Sequence, residues 1–296
     1  MAAASGESIA PASAAHPMDF VAVGHVTLDQ TRSGARPGGA AYYAVLTAER
    51  LGLHAALLTS FGPDFPVESL PPDIAVVNIP SDCTTIFKLE ESARGRQLTL
   101  LSRAADIEAD HLPDDWRRAS LGMLCPVINE VDPALSGRFT DAALGMVPQG
   151  WMRRRGAGGS ITPGPWEDAD IVLPHAQLLV VSREDIEPFE KAALEWFQQV
   201  PVAAVTRGPE GAILFVNGEP YHIEPERAAQ VDATGAGDVF AAALLIEYHR
   251  DGNPWEAAAA AACCAAASVE AAGAAGIPDR STLAARLVAY RRRLSG

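Results

Sequence analysis

The stretch that most constrains this chain is VDATGAGDVFAAALL, residues 231–245. Three small residues, Gly235, Ala236 and Gly237, precede the carboxylate of Asp238, and an apolar helical run begins directly behind them. Backbone N–H groups at the start of a helix point outward and carry partial positive charge, and glycines let a ligand approach them closely. The stretch therefore predicts an anion hole, formed by the backbone of residues 235–238, with an acid beside it.

Asp238 suits a second task at such a helix start. A carboxylate there can accept the proton of an alcohol that attacks phosphorus, while the anion hole stabilises the charge of the transferring phosphoryl group. The lysine and hydroxyl of the GxxxxGK[ST] phosphate loop are absent, so the motif is a different one. The alternative is that Asp238 is only a first-turn acid favoured by the helix dipole.

Composition argues against several classes of protein. The chain has 296 residues, a formal net charge of -14 and 48% hydrophobic residues, which suits one large or two small globular domains. The acidic balance argues against a nucleic-acid partner, because such a surface needs a basic face. No membrane span is expected, and the four cysteines form no CxxC pair, which favours buried thiols. We expect a disordered tail over residues 1–17, without a signal-peptide pattern, and a cytoplasmic protein.

Strands and helices alternate along most of the chain. Residues 19–24 and 54–60 are typical of buried strands, and the glycine-led helix predicted over 37–52 joins them into a βαβ unit, which implies a parallel sheet. Further strands are predicted over 121–127, 177–182 and 202–208, a hairpin with an Asn-Gly turn over 212–224, and helices over 184–199, 236–250, 254–272 and 283–293. Asn253 is the predicted N-cap of the helix that starts at Pro254.

The middle of the chain has a different pattern. CTTIFKLEE and RQLTLLSRA flank the polar residues 92–96, which predicts an antiparallel hairpin. Antiparallel strands inserted between βαβ units often form a lid, so we expect lid strands at about 26–37 and 83–103. The glycine-rich residues 153–160 predict a flexible loop.

The heptad DATGAGD, residues 232–238, resembles the C-terminal signature of the PfkB family, the ribokinase-like carbohydrate kinases, and only Ala233 departs from its usual form. Four other segments resemble family segments in the same order: GHVTLD, PGGAAYYAVLTAERLG, AVTRGPEGAIL and AASVEAAGAAGIP. The resemblance spans about residues 19–280. It implies an α/β fold, a ribokinase-like three-layer sandwich with a mostly parallel central sheet flanked by helices and a small β lid. A single kinase domain would then occupy residues 18–296.

The resemblance also implies which residues bind ATP and Mg²⁺. Thr206, Gly208 and Gly211 would lie along the ATP, and Gly273 would lie near the adenine. SRED, residues 182–185, falls where the family often has N-x-x-E, so Asp185 would face Mg²⁺ through water. Activation by a monovalent cation stays open.

On the acceptor side, the resemblance makes Asp238 the general base and Asp29 the group that binds substrate hydroxyls. Gly38 and Gly39 would lie beside the substrate at the hinge of the lid. Sugar kinases of the family often carry an asparagine where this chain has Tyr43, so an ordinary ribokinase or fructokinase pocket is not expected. Tyr43 either contacts the substrate or packs in the core.

Two further segments are predicted to reach the edge of the substrate pocket, because each follows a strand of the parallel sheet. They contribute Glu130 after the strand at 121–127, and Gln149 and Arg153 after a strand-like AALGMV. Together the segments resemble those of an inositol-kinase-like branch of the family.

The sequence thus predicts an ATP- and Mg²⁺-dependent kinase that phosphorylates a hydroxyl of a small sugar or cyclitol, as a monomer or a homodimer. One alternative is a nucleoside kinase on the same fold, in which Tyr42 or Tyr43 stacks on a base. Another is a non-catalytic sensor of a sugar or nucleotide, which Ser182, Asp185 and Tyr43 would suit. Neither the substrate nor the hydroxyl that is phosphorylated follows from the sequence.

Overall fold

The computed structural model describes residues 8–9, 18–31, 34–92 and 95–295. Apart from the backbone of Ser8–Ile9, the tail predicted to be disordered over residues 1–17 lies outside the described residues. Residues 93–94 of the predicted lid turn also lie outside them.

Strands and helices alternate in chain order as follows. The strands are β1 (Ser8–Ile9), β2 (Phe20–Val23), β3 (Thr27–Thr31), β4 (Gly34–Gly38), β5 (Ala55–Phe61), β6 (Ala75–Pro80), β7 (Thr85–Ser92), β8 (Gly95–Ser102), β9 (Leu121–Leu124), β10 (Ala143–Met146), β11 (Arg153–Arg155), β12 (Ile161–Pro163), β13 (Leu178–Ser182), β14 (Val202–Thr206), β15 (Ala212–Val216) and β16 (Glu219–Ile223). The α-helices are α1 (Ala40–Arg50), α2 (Ala169–Val172), α3 (Arg183–Ile186), α4 (Glu190–Phe197), α5 (Ala236–Asp251), α6 (Pro254–Ser268) and α7 (Arg280–Ser295).

The main sheet is mostly parallel. Among the described residues its strand order is β1-β6-β5-β2-β9-β10-β13-β14-β15-β16. The run from β6 to β14 is parallel throughout, and the strands at both edges pair antiparallel. The β15–β16 hairpin turns at Asn217 and Gly218, whose φ angles of 50° and 81° suit the predicted two-residue turn.

Helices cover both faces of this sheet. Successive side chains of a strand point to opposite faces. In β2, Phe20 and Ala22 pack in a hydrophobic cluster with α1, α5, α6 and α7, whereas Val21 and Val23 pack in a second cluster with α2 and α4. The result is the three-layer α/β sandwich that the sequence predicts.

A separate four-stranded sheet, which we call the small sheet, has the order β4-β3-β7-β8. Its two hairpins occupy the segments predicted as lid strands, and β3 and β7 join them through a parallel pairing. The chain enters the small sheet just after β2 and leaves it into α1, so this sheet adjoins one end of the parallel strands.

Two predicted helices have different bounds in the structure. The helix predicted from residue 37 begins at Ala40, because residues 37–38 complete strand β4 and Gly39 adopts a φ of 95°. The helix predicted over 184–199 is divided into α3, a 3₁₀ turn over Glu187–Phe189, and α4. Pro188 lies in that turn, where it removes a backbone donor and crowds the preceding turn of helix.

The prediction of a flexible loop over 153–160 is wrong. Strands β11 and β12 pair antiparallel around Gly158 and Gly159, which take positive φ angles of 66° and 81°. A bridge from Ser160 to Thr99 attaches this hairpin to strand β8 of the small sheet. The glycines of this segment do not make it flexible. At Gly159 the glycine is needed for close packing, because a Cβ there would lie 2.3 Å from the Leu100 carbonyl oxygen.

The predicted N-cap of α6 is confirmed. The Asn253 side chain accepts hydrogen bonds from the backbone N–H groups of Trp255 and Glu256, at 3.1 and 3.2 Å. We expect Asn253→Ala to lower the free energy of unfolding by about 1 kcal/mol, because both amides lose their acceptor. Asn253→Ser should retain most of that stability. Urea unfolding of the three proteins measures the difference, and an alanine variant as stable as the parent would contradict the prediction.

Candidate active site

The carboxyl ends of the parallel strands meet at one edge of the main sheet, which is where α/β folds bind ligands. Residues that follow β2, β9, β10, β13 and β14 lie along this edge, and the N-terminus of α5 faces it. The small sheet adjoins the same edge because it follows β2. The predicted site residues are distributed over these connections.

The predicted anion hole would lie at the start of α5. Gly235 is the N-cap in the left-handed conformation, with φ 78° and ψ −3°. The N–H of Ala236 donates within the turn to the Ala233 carbonyl at 3.3 Å. The N–H groups of Gly237 and Asp238 have no backbone or side-chain acceptor among the described residues, and the space around the Gly237 Cα is open. Of the four residues predicted for the hole, Ala236 is thus partly engaged, while the amides of Gly237 and Asp238 have no acceptor among the described residues.

Asp238 lies among three other charged side chains. Burial raises the pKa of its carboxyl to about 7; Arg153 opposes this shift, and Asp185 and Asp29 add to it. The structure therefore brings together four residues that the sequence separates by more than two hundred positions. A carboxyl with a pKa near 7 can exchange a proton at neutral pH.

Arg153 is fixed by a hydrogen-bonded chain. Its guanidinium donates to the Val127 carbonyl at 2.9 Å and to the Gln149 side-chain oxygen at 2.7 Å, and the Gln149 amide donates to Asp185 at 2.9 Å. The guanidinium also lies 5.4 Å from the centre of the Phe87 ring, on strand β7 of the small sheet. These hydrogen bonds link the segment after β9 to the segment after β13, and the ring contact reaches the small sheet. Gln149 and Arg153 therefore connect these three parts of the site.

Asp185 is held by a capping box at the start of α3. The Ser182 hydroxyl donates to Asp185 Oδ2 at 2.6 Å, and the backbone amides of both residues bond to each other's side chains. The S-x-x-D spacing is itself the sequence signal for such a box. Ser182 therefore orients the carboxylate for its contact with Gln149.

On the acceptor side, Asp29 lies on β3 and accepts a hydrogen bond from Thr27 at 3.0 Å. A Cβ on Gly38 would lie 2.6 Å from Asp29 Oδ2, and one on Gly39 would lie 2.5 Å from the His25 carbonyl oxygen. Both glycines are therefore required for close approach at the junction of the small sheet with α1. Tyr43 follows on α1, with its ring against Gly235.

Glu130 is buried and bonded to backbone donors. This side chain is only 1% exposed, and its carboxylate accepts hydrogen bonds from the backbone N–H groups of His25, Val127 and Ile128. These backbone donors give the buried carboxylate hydrogen-bond partners within the protein. We assign Glu130 to holding the connections after β2 and β9 together and not to substrate contact.

On the donor side, Thr206 ends β14, and Gly208 and Gly273 have positive φ angles of 55° and 57° with open space around their Cα atoms. Gly211 differs: a Cβ there would lie 2.2 Å from the Ile223 carbonyl oxygen, so the β15–β16 hairpin explains this glycine. The open space around Gly208 and Gly273 leaves room for a ligand near the end of β14.

Asp232, the first residue of the DATGAGD heptad, connects two loops of the site with the small sheet, although no role was predicted for it from the sequence. Its carboxylate accepts hydrogen bonds from the amides of Thr234 and Gly273 and pairs with Arg36 of strand β4 at 3.1 Å. The turn before the anion hole, the loop at Gly273 and the small sheet thus meet at one carboxylate.

The site fits a magnesium ion only as a partner of ligand phosphates. No cluster of three or more possible metal-binding side chains occurs among the described residues. Mg²⁺ usually keeps several waters and binds proteins through one or two carboxylates together with substrate phosphates. Asp185 suits such an indirect contact, because its two oxygens keep acceptor capacity beyond the bonds to Ser182 and Gln149.

No helix of the described residues is long and apolar enough to cross a membrane.

Comparisons with known proteins find similarity to several kinases. A family model described as pfkB family carbohydrate kinase matches residues 164–280. A cytidine kinase from Thermococcus kodakarensis is 25% identical over 265 residues, covering 81% of this chain and 91% of that protein. A fructokinase from Escherichia coli is 28% identical over 174 residues, 51% of this chain and 53% of that protein. A solved pyrophosphate-dependent kinase in the ribokinase family, in complex with a pyrophosphate analog and myo-inositol, superimposes with a TM-score of 0.76 at 20% identity, covering 90% of this chain and 99% of that one. The last similarity shows the fold.

The raised pKa of Asp238 predicts a pH-dependent effect on stability. Between the ordinary aspartate pKa and about 7, the folded protein holds a proton that the unfolded chain has lost, so the free energy of unfolding falls as pH rises through this window. Asp238→Asn removes that dependence. We expect the variant to gain more than about 1 kcal/mol relative to the parent between pH 5 and 7.5, and the gain to level off above pH 8.

Urea unfolding at a series of pH values measures the gain. Asp251→Asn, at the other end of α5, is the matched control, because Arg250 lowers the pKa of that exposed carboxyl and no gain is expected in this range. A constant difference between Asp238→Asn and the parent across the series would show that the carboxyl titrates normally.

Proposed function

We propose that this chain is a carbohydrate kinase of the pfkB type, whose family model matches residues 164–280, and that it transfers the terminal phosphoryl group of ATP to a hydroxyl of a small sugar or cyclitol. The observation that carries this proposal is the pairing at the start of α5: a carboxyl with a pKa of about 7 stands beside backbone amides that have no protein acceptor among the described residues.

The residues of this chain divide the reaction between them. Asp238 accepts the proton of the attacking hydroxyl as its oxygen bonds to the terminal phosphorus and the bond from phosphorus to the leaving diphosphate breaks. The amides of Gly237 and Asp238, at the positive end of the helix dipole, bind the negative charge on the phosphoryl oxygens. A base of pKa near 7 is largely ionised slightly above neutral pH and is still basic enough to take the proton.

The charges around the site favour an uncharged acceptor. Asp29, Asp185 and Asp238 contribute three carboxylates and Arg153 one cation. A phosphorylated sugar would meet this negative field, whereas a neutral polyol can donate hydroxyl hydrogen bonds to it. Asp29 is the acceptor-side carboxylate of the proposal, at the junction where Gly38 and Gly39 bring the small sheet close. The small sheet is the proposed lid over this acceptor.

The donor would lie along the end of β14, with Thr206 and Gly208 beside its phosphates and ribose and Gly273 near the base. Mg²⁺, when bound with the nucleotide, shields the charge of the phosphates, and Asp185 would face its waters. Because Asp185 also holds Gln149, the donor side and Arg153 are connected by hydrogen bonds.

A nucleoside kinase is the second candidate, and one observation favours it. The cytidine kinase relative matches 81% of this chain, more than the fructokinase from Escherichia coli. A nucleoside also presents an uncharged ribose hydroxyl, so the chemistry at Asp238 would be the same. The two candidates differ only in what fills the acceptor pocket.

Phosphoryl transfer to a panel of acceptors tests the proposal. The panel contains myo-inositol, D-fructose, D-ribose and cytidine, each with ATP and Mg²⁺ and, in parallel, with pyrophosphate and Mg²⁺ as donor. We expect transfer from ATP to a sugar or cyclitol, and at least about a 100-fold loss of kcat in Asp238→Asn with the KM for ATP little changed. Asp251→Asn is the control.

Each result has one meaning. If cytidine is the only acceptor phosphorylated, the acceptor is a nucleoside and not a sugar or cyclitol. If transfer occurs only from pyrophosphate, the donor is pyrophosphate and not ATP. No transfer to any acceptor contradicts the proposal. Transfer by Asp238→Asn at the parental rate removes Asp238 as the base.

We expect replacement of Arg153 to shift the pH–rate profile. In the parent, kcat/KM should rise with pH through the pKa of Asp238, about 7. Arg153→Met removes the charge that opposes the raised pKa, so the midpoint should move upward by roughly one pH unit. Arg155→Met, an exposed arginine on the same strand β11, should leave the midpoint unchanged. Equal midpoints for Arg153→Met and the parent would show that Arg153 does not act on the base.

A further inference from the structure

The small sheet is assembled from two hairpins that are far apart in the chain. Strands β3 and β4 form one hairpin and β7 and β8 the other, and the parallel pairing of β3 with β7 joins them. In this pairing Thr27 lies opposite Thr85, and Asp29 lies opposite Phe87. A turn fixes the register within a hairpin, but no turn connects β3 to β7. Another contact must therefore fix the register that sets Asp29 beside Phe87.

The side chain of His25 lies at the start of this pairing. His25 is 0% exposed and precedes Thr27 by two residues. Its ring Nδ1 lies 2.8 Å from the hydroxyl of Thr85, the first residue of β7, and its Nε2 lies 2.8 Å from the carbonyl oxygen of Ala105, just after β8. The ring therefore contacts both ends of the β7–β8 hairpin at the point where β3 begins.

The partners of the ring determine the direction of these hydrogen bonds. A carbonyl oxygen can only accept, so Nε2 carries the hydrogen and donates to Ala105. In the neutral ring Nδ1 is then an acceptor, and the Thr85 hydroxyl donates to it while accepting from the backbone N–H of Ala104 at 2.9 Å. Burial lowers the pKa of His25, which favours the neutral form. We call this series, from Ala104 through Thr85 and His25 to Ala105, the His25 anchor.

The backbone around His25 is attached to the main sheet. The N–H of His25 donates to Glu130 after β9 at 3.1 Å, and the N–H of Val26 donates to the Thr59 hydroxyl of β5 at 2.9 Å. A Cβ on Gly39 would lie 2.5 Å from the His25 carbonyl oxygen, so the chain that leaves β4 packs on the same residue. His25 thus connects the main sheet with both hairpins of the small sheet.

We propose that His25 is a positioning residue of the acceptor site: its ring fixes the register of β3 on β7 and so places Asp29 at the site. The inference rests on the proposed function for the role of Asp29 and goes beyond it by naming the residue that sets its position. A shift of β3 by one residue would turn the Asp29 side chain to the other face of the small sheet. A shift by two residues would move it along the strand by about 7 Å.

Thr85→Val tests the His25 anchor with little change in shape, because it removes the donor to Nδ1 and the acceptor of the Ala104 N–H. With the acceptor of highest kcat/KM in the panel of myo-inositol, D-fructose, D-ribose and cytidine, we expect the acceptor KM to rise at least about fivefold. The KM for ATP should stay within about twofold, since the donor side does not depend on β3. Thr85→Ser keeps the hydroxyl and should restore the parental values.

Two further variants complete this comparison. Thr31→Val is the matched control, because it removes a hydroxyl hydrogen bond to Gly34 at the other end of β3, and both KM values should equal those of the parent. His25→Asn tests the ring itself, because the shorter side chain does not reach Ala105. We expect the same rise in acceptor KM, with the KM for ATP unchanged, and this variant decides the matter if Thr85→Val does not fold.

A double-mutant cycle separates positioning from a general loss of structure. Asp29→Asn should itself raise the acceptor KM. If the His25 anchor acts through Asp29, Thr85→Val should raise the acceptor KM by less than about twofold in the Asp29→Asn background. The same factor in both backgrounds would show that the anchor does not act through Asp29 and would overturn the proposal. Urea unfolding of each variant shows that the proteins compared are folded.

Deuterium exchange measures the strand pairing without any acceptor. We expect the amides of residues 27–31 and 85–89 to exchange at least about fivefold faster in Thr85→Val than in the parent, with exchange over β13 and β14 unchanged. Equal exchange in the two proteins would overturn the anchor.

The outcomes distinguish this inference from the proposed function. A parent enzyme that phosphorylates none of the four acceptors rejects the proposed function, and the exchange measurement then decides whether His25 fixes the pairing of β3 with β7. An active parent with the same acceptor KM as a folded Thr85→Val overturns the positioning role and leaves the proposed function standing.

Discussion

The left-handed turn at Gly235 is the constraint on which the rest of the site depends. It begins α5 at the carboxyl edge of the parallel strands and leaves the amides of Gly237 and Asp238 without acceptors in the described part of the chain. Two contacts hold it: the ring of Tyr43 covers the glycine, and Asp232 accepts the amide of Thr234 just before it. A side chain at position 235 would disrupt the turn and so change the direction of the first amides of α5.

The second feature of the site is an excess of negative charge, and hydrogen bonds hold some of the charged side chains in place. Asp29, Asp185 and Asp238 act on one another across the edge of the sheet, and Arg153 is the cation among them. Burial raises the pKa of the Asp238 carboxyl, and the charges of Asp185 and Asp29 add to this shift. The chain from Ser182 through Asp185 and Gln149 fixes Arg153, so the charge that moderates Asp238 is placed by residues of other connections.

The small sheet is attached to the site through side chains as well as through the chain itself. Arg36 of β4 pairs with Asp232, and Phe87 of β7 lies beside the guanidinium of Arg153. The β11–β12 hairpin adds a backbone bridge from Ser160 to Thr99 of β8. The small sheet therefore has contacts with the turn before α5, with Arg153 and with the β11–β12 hairpin.

The sequence by itself determined the layered parallel fold, the small sheet, the helix start at 235–238 and the acid at Asp238, because these follow from patterns local in the chain: hydrophobic period, glycines and caps. The roles of Asp29, Asp185 and Tyr43 in binding stay predictions. Only the tertiary structure decided that Glu130 is consumed by backbone amides, that Gly211 serves a hairpin, and that residues 153–163 pair as strands. It also decided that Tyr43 lies on Gly235 and that Arg153 joins the acids. The contacts of Tyr43 with Gly235, of Arg153 with the acids and of Glu130 with His25 link residues far apart in the chain, and such contacts leave no mark in local spacing.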